Sequence, residues 1–441
     1  MNSAESAALE LVLRERGWER AGADTADLYL LNTCSVRQTA ETRLKGRLAH
    51  YTAQKKKARF ALVVAGCMAS RLGESLITMY PAVDYVMGTN ARSIFPAILE
   101  AVEQNRPGDA SSAGGGGTLA RNIAARENIA LLQEKAVFSF SSSHLEEGAF
   151  RSFVPIMHGC NNFCSYCIVP YVRGREISRS HEAIAEEIEL LAEHGVREIT
   201  LLGQNVNSYQ YGDLGFPGLL QKIAGLVNGS PIRRVRFLSA NPKDFCRETI
   251  DVMAGNPCFC RHIHLPVQHG SNRILAAMNR RYTRESFLLL AGELKTAMPG
   301  ISLSTDILVG FPGETGEDFN EVLELMEEVE FLYAYMYHFN PREGTAAYSL
   351  PGRVSEKVKR ERLSRVIALQ KKHTASALKS RLGSRETVLV EGISRKNADE
   401  VIGRTERDEM AVLAGTAALI GSFVDVMLCS LKGHTFSAKM I

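Results

Sequence analysis

Phe153-Val154-Pro155-Ile156-Met157-His158-Gly159-Cys160-Asn161-Asn162-Phe163-Cys164-Ser165-Tyr166-Cys167 runs from a short apolar stretch into three cysteines, spaced three and then two residues apart. Phe153–Met157 reads as a strand. A four-iron, four-sulfur cube needs one ligand per iron, so the claw of Cys160, Cys164 and Cys167 leaves one iron open to a guest. That spacing points to chemistry on a bound molecule. A structural zinc completed by His158 is the alternative, although zinc sites generally use two-residue cysteine pairs. The nine cysteines are an odd number. With no signal peptide and no long apolar run, they suit a soluble cytoplasmic protein whose thiols stay reduced.

Beyond the claw, strands are expected at Glu198–Leu202, Val235–Leu238, His262–Val267, Ser302–Val309 and Phe331–His338. Helical patterns fill the gaps. Ile184, Ile188 and Leu191 follow Ser180, an N-cap residue, and Thr315 opens a helix with Asp318 in its first turn. Six βα units imply a barrel or an open parallel sheet, and in both the active site lies at the carboxyl ends of the strands.

Upstream, Leu28–Leu31, Phe60–Val64 and Asp84–Met87 read as three more strands, giving a small doubly wound parallel sheet with Cys34 and Cys67 at strand ends. Periodicity is lost from about 105 to 147, where Ser111-Ser112-Ala113-Gly114-Gly115-Gly116-Gly117 reads as a flexible connector. The expected domains are therefore 1–104, a linker over 105–147, 148–376 and 377–441. Their composition is that of globular domains, 45% hydrophobic over 441 residues. The formal charge of +3 conceals a basic run, Arg353, Lys357, Lys359, Arg360, Arg362, Arg365, Lys371, Lys372, Lys379 and Arg381 against Glu356 and Glu361. It reads equally as a solvated helix face or a phosphate-binding surface. Glu386–Val390 and Phe423–Leu428, among regularly spaced glycines, suggest a small terminal β-barrel, which either binds looped nucleic acid or acts as a structural cap.

The CxxxCxxC run after the first strand of a βα series resembles the radical S-adenosylmethionine enzymes, built on a partial (β/α)6 barrel. The whole chain resembles their methylthiotransferase family, with an amino-terminal α/β domain, this barrel, and a TRAM domain that Glu391-Gly392-Ile393-Ser394-Arg395 and Ile402-Gly403-Arg404-Thr405 resemble. Leu201–Tyr209, His264–Ser271 and Gly310–Thr315 are similar to the branch acting on N(6)-dimethylallyladenosine at position 37 of bacterial tRNA. Sister branches act on threonylcarbamoyladenosine or on a ribosomal-protein aspartate. A non-catalytic, zinc-dependent RNA-binding protein is the reading of a different class.

The resemblance implies that Cys160, Cys164 and Cys167 hold a 4Fe-4S cluster whose open iron chelates S-adenosylmethionine. A 5′-deoxyadenosyl radical would then take hydrogen from carbon 2 of the adenine. Gly203, Gln204, Arg179 and Gln268 are the candidate cofactor-binding residues: Gly203 for backbone clearance, Arg179 as a fork for a carboxylate. The resemblance also implies a second 4Fe-4S cluster. Cys34 and Cys67 match two of its three ligands, while Met1-Asn2-Ser3-Ala4-Glu5-Ser6 resembles the run carrying the third with its cysteine cut away, so a start farther upstream is expected. Cys246, Cys258, Cys260 and Cys429 match no family ligand. The implied partners are a tRNA anticodon loop and an electron-donor protein, with no membrane and a monomeric enzyme.

Overall fold

The computed structural model describes residues 2–35, 38–104, 129, 132, 138, 140 and 148–441; the expected linker at 105–147 lies almost wholly outside them. The chain divides into two compact units. One is Met1–His144 with His158–Asn161 and Cys167–Glu176, and the other is Leu145–Met157, Asn162–Tyr166 and Ile177–Ile441.

In the first unit, β1 (Leu28–Thr33), β2 (Ala61–Gly66) and β3 (Tyr85–Met87) form a parallel sheet in that order, in register from Leu28↔Ala61 to Thr33↔Gly66. Alternation along β2 builds a core on each face. Val63 and Ala65 pack with Leu9, Phe95, Ile98 and Leu99 on one side. Leu62 and Val64 pack with Leu44, Leu48, Met68 and Leu76 on the other. Helices thus cover both faces, the doubly wound arrangement expected.

The second unit holds six parallel strands in two triplets: β4 (Arg151–Pro155), β5 (Glu198–Leu202) and β6 (Arg234–Phe237), then β7 (His262–His264), β8 (Ser302–Val309) and β9 (Tyr333–His338). A parallel bridge, Val235↔Phe259, joins the triplets. With a helix after nearly every strand, this is the partial (β/α)6 barrel. Ser180 caps the helix His181–Glu193 by accepting from the Ala183 N–H, and Thr315 and Asp318 form a capping box on Gly316–Val329. β7 stops at His264, short of the expected Val267. Pro266 brings no N–H to the ladder, and pairing resumes only at the Gln268↔Ile307 bridge. β9 begins at Tyr333, two residues late, because the helix before it ends in left-handed Glu330 (φ 52°).

The chain ends in a closed barrel of β10 (Arg385–Ile393), β11 (Glu400–Arg404), β12 (Met410–Ala414), β13 (Phe423–Lys432) and β14 (Thr435–Met440), in the order β10-β11-β12-β14-β13. Its Thr405–Arg407 turn meets the amino-terminal ends of the parallel strands. Arg236 donates to the carbonyls of Thr405 (3.0 Å) and Glu406 (2.9 Å), and Ser302 Oγ to that of Arg407 (3.2 Å). This closes the end of the sheet opposite the cysteine loop. Among the described residues, no helix is long and apolar enough to cross a membrane.

Candidate functional site

The loop after β4 is fixed within the second unit by the turn Met278–Tyr282. Ser165 donates its N–H to the Met278 carbonyl (3.0 Å) and its hydroxyl to the Ala277 carbonyl (2.8 Å). Asn279 Nδ2 donates to the carbonyls of Asn162 (3.2 Å) and Phe163 (2.9 Å). Arg280 Nη1 donates to Cys164 Sγ at 3.4 Å. Phe163 sits left-handed at φ 47°, as do Asn279 (57°) and Arg281 (58°). Such conformations cost energy in non-glycine residues, persist only where the surroundings hold them, and cluster at functional sites.

Within the first unit, the Cys160 N–H donates to the Gly174 carbonyl (3.2 Å), and Asn161 is held through its N–H by Glu176 (3.0 Å). Gly159 has φ +77°, and a Cβ there would overlap the Arg175 carbonyl, so the turn into Cys160 requires glycine. Cys160 and Cys164 are each 8% exposed, and Cys167 is half-buried. His158, the candidate fourth zinc ligand, is buried, stacked on Phe138 at 3.7 Å, and hydrogen-bonded through Nε2 to Asn90 (3.1 Å). Burial, with help from the Arg173 charge, lowers its pKa to about 3.

Three thiols in one short loop, two of them buried and one already accepting an N–H, suit a cluster. Among the described residues no three His, Cys, Asp or Glu side chains converge as the ligands of one ion. A cube takes one ligand per iron and does not require that convergence.

The remaining candidates are placed as follows. Gly203 and Gln204 follow β5 directly, and the close approach at Gly203 is made by the Met157 side chain, which a Cβ would overlap. Gln268 is left-handed at φ 71°, its N–H donating to the Asp306 carbonyl (2.8 Å). Arg179 is buried with its guanidinium closed on Glu187 and on the Ala183 carbonyl (3.1 Å). These bonds tie Arg179 to the helix His181–Glu193. Cys260 is buried beside Arg236 and Glu198, and burial pushes its thiol up to about 12, the inert state of a structural cysteine.

Cys34 and Cys67 lie just past Thr33 and Gly66, which are in register at the carboxyl edge of the first unit's sheet. Gly66 has φ +92°, and a Cβ there would stand 2.5 Å from the Thr33 carbonyl oxygen. Cys67 is 1% exposed. Burial raises its pKa, opposed by the charge and hydrogen bond of Arg173, which is itself clamped by Glu5 (Nη1 to Oε1, 2.6 Å). The described residues supply two cysteines at this edge, where the resemblance implies three.

Sequence reasoning missed Asn279, Arg280 and Tyr282. The run Met278-Asn279-Arg280-Arg281-Tyr282 carries no spacing that marks it. Its signal is burial of an arginine, which only the fold reveals.

Comparison with known proteins now adds to this geometry. The model of the radical SAM superfamily matches residues 154–326, that of the TRAM domain residues 379–438, and that of the uncharacterized protein family UPF0004 residues 1–88. The fold is shared with the radical S-adenosylmethionine methyltransferase TsrM of Kitasatospora setae at a TM-score of 0.58 and 17% identity, over 78% of this chain and 73% of that one. Fold and cysteine loop together define a radical S-adenosylmethionine protein. A tRNA-2-methylthio-N(6)-dimethylallyladenosine synthase of Treponema pallidum is 47% identical over 100% of this chain and 96% of its own length. That of Treponema denticola is 46% identical over 100% and 97%, and that of Syntrophus aciditrophicus 40% over 100% and 92%. This chain belongs to the tRNA-2-methylthio-N(6)-dimethylallyladenosine synthase family.

Proposed function

We propose that this chain places a methylthio group on carbon 2 of N(6)-dimethylallyladenosine at position 37 of tRNA, in the cytoplasm, as a monomer supplied with electrons by a donor protein. The observation that carries the reading is full-length identity of 46–47% to synthases of that name. In this reading Cys160, Cys164 and Cys167 hold a 4Fe-4S cluster, and Cys34 and Cys67 are ligands toward a second. With S-adenosylmethionine bound, the first cluster would supply one-electron cleavage of a sulfonium bond, the chemistry needed to remove hydrogen from a ring carbon no ordinary base deprotonates.

The chain's own residues do the rest. The Met278–Tyr282 turn holds the cysteine loop; Gln204 lies just past the carboxyl end of β5, and Gln268, beyond β7, bridges Ile307 near the carboxyl end of β8, the side on which a cofactor lies in such folds. The target base must leave its stack to react, which an anticodon loop permits. On the helix Glu356–Lys379, Arg362 is turned inward onto Glu314 (2.6 Å) and Lys359 is buried, whereas Lys357, Arg360, Lys371, Lys372 and Lys379 are exposed. These exposed members of the basic run are available to phosphates, giving salt-dependent binding without sequence choice. The terminal barrel adds a surface of the kind that binds looped RNA.

The test is anaerobic incubation of the reconstituted chain with reductant, sulfide, S-adenosylmethionine and tRNA carrying dimethylallyladenosine, followed by nucleoside mass spectrometry. The methylthiolated nucleoside should appear. An unchanged dimethylallyl nucleoside, with methylthiolation instead of tRNA carrying threonylcarbamoyladenosine in a parallel incubation, would overturn the assignment.

A further inference from the structure

Arg280 is a buried cation among neutral partners. It is 7% exposed. Nη2 donates to the Pro266 carbonyl (2.8 Å), Nε to the Tyr282 hydroxyl (2.9 Å) and Nη1 to Cys164 Sγ (3.4 Å). Tyr282 passes the chain on, its hydroxyl donating to the Val267 carbonyl (2.7 Å). Among its hydrogen-bond partners in the described residues, the Cys164 sulfur is the one that carries negative charge as a cluster ligand. An unpaired buried charge is costly, and a fold that retains one has a compensating anion at hand. The backbone agrees, because left-handed residues on both sides, Asn279 and Arg281, fix the direction in which Arg280 leaves the chain.

We propose that Arg280 is a positioning residue for the radical cluster, supplying Cys164 with both an N–H···S hydrogen bond and a counter-charge, and so making the bound cluster easier to reduce. The inference rests on the reading that Cys160, Cys164 and Cys167 hold that cluster. Reduction adds one electron, and hence one negative charge, to a centre already bearing three thiolates. A fixed cation at the sulfur, in a water-poor surrounding, stabilises the more negative state. Hydrogen bonds to the sulfurs are among the features that set cluster potentials. Reductive cleavage of a sulfonium needs a low-potential electron, and Arg280 widens the range of donors able to supply it.

The experiment is a redox titration by electron paramagnetic resonance on the full chain, reconstituted anaerobically and reduced with dithionite. Cys34→Ala and Cys67→Ala remove any contribution from a second cluster, and iron is measured on every sample. With Arg280 intact, this background should bind four irons per chain and show a reduced-cluster signal; failure to do so defeats the cluster reading itself. Arg280→Gln should lower the equilibrium constant for one-electron reduction roughly tenfold, a fall of about 59 mV in midpoint. Arg280→Lys keeps the charge without the planar fork and should fall between the two. A normally loaded Arg280→Gln cluster with an unchanged midpoint overturns the inference. Should Arg280→Gln fail to retain iron, Arg280→Lys decides: a lowered midpoint supports the role, an unchanged one overturns it.

Discussion

Cys164→Ala is expected to abolish both 5′-deoxyadenosine release and tRNA methylthiolation, a loss well beyond the roughly 100-fold that removing a group which merely orients a metal ligand can cost. The expectation follows from ligand arithmetic. Three cysteines are the fewest that leave a single open iron on a cube, and two leave the cube poorly held. Iron content should fall with activity, because Cys164 is the cysteine held from the Met278–Tyr282 side. Cys429→Ala is the control. Its side chain is exposed on the terminal barrel, far along the chain from the loop, and activity should be unaltered. Product analysis by chromatography and iron determination on the same samples check both expectations. A Cys164→Ala enzyme that still releases deoxyadenosine would remove the cluster from the account.

The second large effect concerns stability. Glu5 and Arg173 form a buried ion pair in the first unit, with side chains 5% and 4% exposed. Taking both charges from water is expensive, and removing one leaves the other uncompensated, which typically costs about 3–5 kcal/mol. Glu5→Ala should therefore lower the unfolding free energy by about that amount, with the urea midpoint as the measure. The pH dependence has a definite sign. Burial raises the Glu5 pKa, but the charge and hydrogen bonds of Arg173 outweigh it and leave the folded carboxyl below its ordinary value of 4.5. A depressed carboxylate pKa stabilises the fold at pH values above the ordinary one, and that contribution is lost as pH falls through the folded value. The gap between wild type and Glu5→Gln should thus be full at neutral pH and shrink on acidification. A gap that widened in acid would contradict the assignment.

Much of this architecture was legible because its determinants are local. The continuous apolar run along Ala61–Gly66, the caps at Ser180 and Thr315, and the cysteine spacing lie within a few residues of what they specify. What was not legible depends on distant partners. The Arg280 contact with Cys164 spans 116 residues of sequence, and the Arg236 bonds that seat the terminal barrel span about 170. Arg179 shows the same limit at short range. Its forked shape suggests a carboxylate ligand, but whether that carboxylate is a cofactor's or Glu187 depends on how the helix turns. In the basic run, likewise, side-chain charge was visible while its direction was not: Arg362 points into the fold and Lys371 away from it.

In this reading, radical chemistry begun at the Cys160–Cys167 loop acts on carbon 2 of a tRNA adenine. Its most direct test is tRNA carrying dimethylallyladenosine deuterated at carbon 2, incubated with the reconstituted enzyme and unlabelled S-adenosylmethionine. Deuterium should appear in 5′-deoxyadenosine in proportion to the methylthiolated nucleoside formed. Methylthiolated product accompanied by unlabelled deoxyadenosine, or by none, would contradict it.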